Sequence, residues 1–146
     1  MDDPFNLRRF VEAQADMFSQ VEAELRAGRK RSHWMWWVFP QLAGLGASPM
    51  SQFFAIGSLE EARAYLAHPV LGARLLACAQ WMCAVEGRGL REILGAPDDA
   101  KFRSCMTLFA QAAPEEGIFR TALTKFCNGE ADPATLRLLA TRQKSD

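Results

Sequence analysis

The residues best suited to chemistry lie together in one segment, residues 29–41, which reads RKRSHWMWWVFPQ. Three basic residues, Arg29, Lys30 and Arg31, are followed by Ser32, by His33 and by three tryptophans within four residues. Cationic side chains bind phosphate and carboxylate groups, and an indole ring stacks on a base or a sugar. This combination predicts a site for a small anionic metabolite, with a nucleotide or an ADP-ribose-like compound as the leading ligand.

The predicted cleft combines apolar walls with a few converging polar groups, as small-ligand sites usually do. Its expected ligand-binding residues are Lys30, Arg31, His33, Trp34, Gln41 and Lys101. An N-cap at Ser32 would add the free backbone N–H groups of a helix start. A second interpretation stays open, in which the aromatic residues are core and the cations are a solvated rim.

Acid–base catalysis is the alternative hypothesis for the same site. His33 and His68 are the only two histidines, and a hydrolase acting on such a compound would use His33 as its acid or base. Cys105 would need a nearby histidine to act as a nucleophile, and its position inside a predicted helix indicates a buried, inert thiol instead. The sequence assigns no catalytic residue, so whether the protein is an enzyme stays open.

The sequence contains few features that indicate a metal, cofactor or partner site. The four cysteines form no C-x-x-C pair, which indicates neither a zinc site nor a redox motif, and we expect no metal and no cofactor. A protein interaction module is the third hypothesis, and a large exposed aromatic patch would favour it. The oligomeric state is left open.

Helices must position these residues, because apolar side chains recur at helical spacing and residues that favour helix starts and ends occur between the apolar stretches. We predict an all-α, compact single domain, residues 1–146, of about seven or eight helices. Helix signals occur in nine segments, some of them short: about 7–27, the aromatic run 34–39, from Ser48-Pro49, from Ser58 to His68, from Pro69 towards Gly87, LREIL, and from Asp98, Pro114 and Pro133.

The aromatic run 34–39 is too short for periodicity to assign. Pro40 ends it, and no second strand is predicted that could satisfy the backbone groups of a buried strand, which favours a short buried helix near the centre of the domain. We expect a core that includes Trp36, Trp37, Phe39, Leu75, Met82, Met106 and Phe109.

The charge balance bears on the partners. Lys plus Arg and Asp plus Glu number 17 each, so the overall field does not attract a polyanion and nucleic acid is disfavoured as the main partner. No apolar run approaches the roughly 18 residues of a membrane span, and the start MDDPF lacks the features of a secretory signal. We expect a cytoplasmic protein without membrane association.

Four segments resemble an uncharacterised family of bacteria and fungi known as domain of unknown function 1810. They are DPFNLRRFVEAQ, GRKRSHWMWWVFPQLAGLG, EARAYLAHPVLGARL and DDAKFRSCMTLFA, and the likeness extends from Asp3 to about Leu139. The resemblance implies a compact, mostly helical domain. It implies no reaction, cofactor or catalytic residue, and Phe54 stands where a tyrosine is expected.

Overall fold

The computed structural model describes the backbone of residues 2–144 and the side chains of residues 2–142. Over this part of the chain it has ten helices, and its only β pairing is an isolated bridge between Leu42 and Ile56. The helices are α1 (Arg8–Gln14), α2 (Phe18–Ala27), α3 (Met35–Val38), α4 (Pro49–Phe53), α5 (Leu59–Ala67), α6 (Leu71–Ala84), α7 (Leu90–Leu94), α8 (Asp98–Ala112), α9 (Gly117–Cys127) and α10 (Pro133–Lys144). The predicted all-α class is confirmed.

One hydrophobic core joins the helices. The predicted domain ends, Met1, Ser145 and Asp146, lie outside the described residues. Within the described residues, no helix is both long enough and apolar enough to span a membrane.

The helix predicted over residues 7–27 is in fact two helices, which is one reason why the count exceeds seven or eight. The break falls between Gln14 and Phe18. Gln14 is buried there and donates hydrogen bonds to the carbonyl of Trp37 at 2.6 Å and to the hydroxyl of Tyr65 at 3.2 Å. Because these partners are distant in sequence, helical periodicity could not indicate the break.

The predicted end signals of α4 and α5 act as expected. The Ser48 hydroxyl accepts from the N–H of Ser51, and the Ser58 hydroxyl accepts from the N–H of Glu61, both at 3.1 Å. Each serine therefore satisfies one of the N–H groups that a helix start leaves without an internal partner. His68 ends α5, as the following proline predicted.

Helix α8 lies at the centre of the core and packs against α5, α9 and α10. The predicted burial is confirmed for Phe39, Leu75, Met82, Met106 and Phe109. It is wrong for Trp36 and Trp37, which are only half-buried, whereas Trp34 has no exposed surface. Within the short aromatic helix, the side chains of α3 that point inward are Met35 and Val38.

Candidate anion-binding site

A buried carboxylate organises the segment in which the site was predicted. Glu24 projects from α2, and its Oε1 accepts hydrogen bonds from the backbone N–H groups of Arg31 at 2.8 Å and Ser32 at 3.1 Å. The indole N–H of Trp34 donates to the same oxygen at 2.9 Å. Its Oε2 accepts from the Ser32 hydroxyl at 2.6 Å and from the Gln20 amide at 3.2 Å. The loop before α3 is therefore folded around an anion of the protein itself.

The hydrogen bonds decide the charge of Glu24. Burial raises the pKa of this carboxyl, but the Ser32 hydroxyl, the Arg31 N–H and the Trp34 indole together outweigh that effect and lower the pKa to about 2. Glu24 is accordingly an anion at neutral pH.

Glu24 also changes the role of Ser32. Its hydroxyl and its N–H both bind Glu24, and the residue at the N-cap position of α3 is Trp34. The prediction that Ser32 caps this helix is therefore wrong. The N–H group of Ser32, like that of Arg31 before it, is already occupied by Glu24 and is not free for a ligand.

Two of the predicted cations converge on one acidic residue. The Lys30 ammonium lies 2.8 Å from Oδ2 of Asp98, and the Lys101 ammonium lies 3.3 Å from Oδ1 of the same carboxylate. The three side chains are mostly buried, with 8%, 20% and 17% of their surface exposed for Lys30, Lys101 and Asp98. Among the described residues, no second carboxylate lies within 4.0 Å of either ammonium, so this cluster carries one positive charge in excess.

Each lysine of the cluster also faces an indole ring. The Lys30 ammonium lies 5.1 Å from the ring centroid of Trp34, and the Lys101 ammonium lies 3.7 Å from that of Trp36. Both distances fall within the range of a cation–π interaction. Trp34 is completely buried, so Trp36 is the ring of this pair that presents surface to solvent.

The remaining predicted residues, Arg31, His33 and Gln41, make no ion pair with Asp98 among the described residues. Arg31 and His33 are exposed. Gln41 is half-buried, and its backbone carbonyl accepts from the N–H of Ile56 at 2.8 Å. Among the described residues, no hydrogen bond links the Gln41 side chain to Lys30 or Lys101. The structure thus brings Lys30, Trp34 and Lys101 together and leaves Gln41 beside the isolated β bridge.

Sequence reasoning missed the two carboxylates that hold the site. Glu24 follows Val21 by three residues and precedes Leu25 and Gly28, all of which are buried. A charged residue on an apolar helical stripe was the available signal. Asp98 was predicted only as the residue from which a helix starts; it is the first residue of α8, and its carboxylate pairs with two lysines.

The other candidates for catalysis have structural roles. Nδ1 of His68 accepts hydrogen bonds from the N–H groups of Val70 at 3.1 Å and Leu71 at 3.2 Å. Cys105 is fully buried, as predicted, and burial raises the pKa of its thiol. A buried neutral thiol is a poor nucleophile.

A cavity of about 570 Å³ lies among α7, α8 and the end of α9. None of the six predicted ligand-binding residues lines it. Arg103, the cation of α8 in its wall, donates to the carbonyls of Glu130 and Ala131, both at 2.9 Å. Its guanidinium is therefore engaged in holding the loop before α10.

Comparison with known proteins identifies relatives but no activity. The family model described as protein of unknown function DUF1810 matches residues 4–139. A solved structure, that of the conserved hypothetical protein Rv1873 from Mycobacterium tuberculosis, is 54% identical and superposes with a TM-score of 0.94. The match covers 94% of this chain and 99% of that one. No curated protein matches the sequence.

Proposed function

We propose a function for this chain, which belongs to the DUF1810 family, from the geometry of its own side chains. It binds a small anionic metabolite, with a nucleotide or an ADP-ribose-like compound as the leading candidate. The ligand lies against Lys101 and Trp36, and we assign its rim to Arg31 and His33, which are exposed and lie in the loop before α3.

The observation that carries the proposal is the sharing of one carboxylate by two ammonium groups. Lys30 and Lys101 both pair with Asp98, which leaves one positive charge uncompensated in a cluster that is mostly removed from water. Charges interact more strongly there than in bulk water. A phosphate or carboxylate oxygen that binds beside the lysines would therefore be stabilised by the uncompensated positive charge. Lys101 is the more exposed of the two lysines and is therefore the one a ligand would meet.

The half-buried Trp36 supports a ligand with a flat ring. Its indole ring is held close to the Lys101 ammonium and keeps surface in contact with solvent. An adenine or similar base could stack there while its phosphate lies at Lys101. Trp34 has no exposed surface, so in this proposal it does not touch the ligand and contributes through its contact with the Lys30 ammonium.

Calorimetric titration with ADP-ribose, AMP and inorganic phosphate, at two salt concentrations, tests the proposal. We expect the nucleotides to bind and their affinity to fall at higher salt, because the contacts are charged. Lys101→Gln should weaken binding roughly 10- to 100-fold, since a hydrogen bond to a charged group contributes about 1.5–3 kcal/mol. Arg8→Gln is the matched control, because Arg8 is an exposed cation that pairs with Glu12 on α1.

Equal binding by the Lys101→Gln variant and the unmodified protein would reject this site. Absence of heat for every nucleotide at both salt concentrations would reject the ligand class. Incubation of the complex, followed by chromatography of the nucleotide, separates a binding protein from a hydrolase. Turnover that is lost in His33→Asn would support the hydrolase hypothesis, and binding without turnover would reject it.

The cytoplasm is the proposed compartment. All four cysteines are free thiols, and two of them, Cys78 and Cys105, are buried in the core. Free thiols suit a reducing environment, because oxidising compartments favour disulfides. Fractionation of cells that express the tagged protein would test this assignment.

A further inference from the structure

A second cavity, of about 700 Å³, lies between the N-terminal segment, α1 and the end of α5. Its size falls within the roughly 300–1,000 Å³ range of small-molecule sites. Most of its wall is apolar and is formed by Phe5, Leu7, Val11 and Ala64. It shares no residue with the Lys30–Lys101 cluster.

His68 supplies a directed polar group to this cavity. Its Nδ1 accepts from the N–H groups of Val70 and Leu71, so Nδ1 carries no proton in this arrangement. In a neutral imidazole the other nitrogen then carries the proton. Nε2 is thus an N–H donor, and among the described residues it has no hydrogen-bond acceptor.

The charges around the cavity disfavour anions. Asp2 and Asp3 both line it. The Asp3 carboxylate accepts hydrogen bonds from the N–H groups of Leu7 at 2.8 Å and Arg8 at 3.0 Å. The bond from Arg8 has the larger effect, and together the two bonds lower the pKa of Asp3, so this carboxylate stays ionised. The Arg8 guanidinium, the cation of the wall, pairs with Glu12 at 2.7 Å. The two carboxylates are therefore not balanced by a free cation of the wall.

We propose that this cavity binds an uncharged small molecule with an aromatic or alicyclic body and one carbonyl or hydroxyl oxygen. The apolar body lies against Phe5, Val11 and Ala64, and the oxygen accepts a hydrogen bond from Nε2–H of His68. Carboxylates of the same shape are excluded by Asp2 and Asp3. This ligand class differs in charge from that of the Lys30–Lys101 cluster, so the two sites can be tested separately.

NMR titration with 2-naphthamide and 2-naphthoate, two probes that share a ring system and differ in charge, tests the proposal. Naphthamide should shift the imidazole resonances of His68 and the methyl resonances of Val11 and Ala64, and naphthoate should not. Lys101→Gln, in the other site, is the control and should leave the naphthamide titration unchanged.

Three variants separate binding from folding. Val11→Phe fills the cavity and should abolish naphthamide binding while the protein stays folded; Ala64→Leu serves the same purpose if Val11→Phe unfolds. His68→Asn keeps an acceptor for the N–H groups of Val70 and Leu71 but is too short to place a donor where Nε2 lies, and should weaken binding about tenfold. Equal binding of naphthoate, unchanged binding in a folded cavity-filled variant, or no shift with naphthamide would each overturn the proposal.

Discussion

Replacing Glu24 by glutamine tests whether this carboxylate holds the loop before α3. The substitution is nearly isosteric and keeps one oxygen for the N–H groups of Arg31 and Ser32. The amide nitrogen, however, takes the place of Oε2, which now accepts from the Ser32 hydroxyl and from Gln20. The variant therefore keeps the shape of the side chain but loses its negative charge and the oxygen that accepts the hydrogen bonds from Ser32 and Gln20.

The magnitude follows from the pKa of Glu24. Its hydrogen bonds lower the pKa from the ordinary 4.5 to about 2. At about 1.36 kcal/mol for each pH unit, ionised Glu24 contributes about 3 kcal/mol to the free energy of unfolding at pH 7. A carboxyl with a lowered folded-state pKa stabilises the fold fully above its unfolded pKa and loses this effect as the pH falls towards the folded value. About 2 kcal/mol of the contribution should therefore be gone by pH 3.

Urea denaturation of the unmodified protein and of Glu24→Gln, at pH 7 and near pH 3, measures both quantities. We expect a difference of about 3 kcal/mol at pH 7 that shrinks at the lower pH. Glu22→Gln on the same helix is the control, because Glu22 forms an exposed pair with Arg26, and such pairs contribute about 0–1 kcal/mol. A Glu24→Gln variant as stable as Glu22→Gln at pH 7, or a difference that does not shrink on acidification, would refute this reasoning.

Three further outcomes are expected. Trp34→Ala should cost about 3–5 kcal/mol of unfolding free energy, as for other buried aromatic residues, and Trp36→Ala should cost clearly less because its ring is half-buried; equal losses in chemical denaturation would contradict this. Ser58→Ala should cost about 1 kcal/mol, because it removes a helix N-cap, and a thermal melt that matches the unmodified protein would contradict the cap. Iodoacetamide should label Cys127 before Cys105 in the native protein, since Cys127 is half-buried and Cys105 is fully buried; mass spectrometry that finds Cys105 labelled first would show that α8 opens.

The parts of the fold that the sequence predicted depend on neighbours along the chain. The cap at Ser58 acts on a residue three positions later, and the end of α5 at His68 follows from the proline after it. Both effects involve only residues that are a few positions apart in the sequence. The class of the fold and most of the helix starts were therefore predictable.

The arrangement of the aromatic segment depends on contacts across the chain. Which tryptophan is buried is decided by Glu24, which lies ten positions before Trp34 and takes its indole N–H. The break after Gln14 likewise depends on the carbonyl of Trp37. Periodicity treats Trp34 and Trp36 alike, because both are large and apolar. Only the position of a buried acceptor distinguishes them, so the prediction that Trp36 was core failed.

The same anchoring decides which substitutions can test binding without disturbing the fold. Arg31 is tied to Glu24 through its backbone N–H, and its side chain is exposed, as is that of His33. Replacing either side chain therefore leaves the loop's bonds to Glu24 intact. Lys30 differs, because its ammonium is mostly buried against Asp98 and Trp34, and its removal would disturb both. A loss of nucleotide binding in Arg31→Gln or His33→Asn would thus report on the ligand, whereas the same loss in Lys30→Gln would combine the ligand contact with a change in packing.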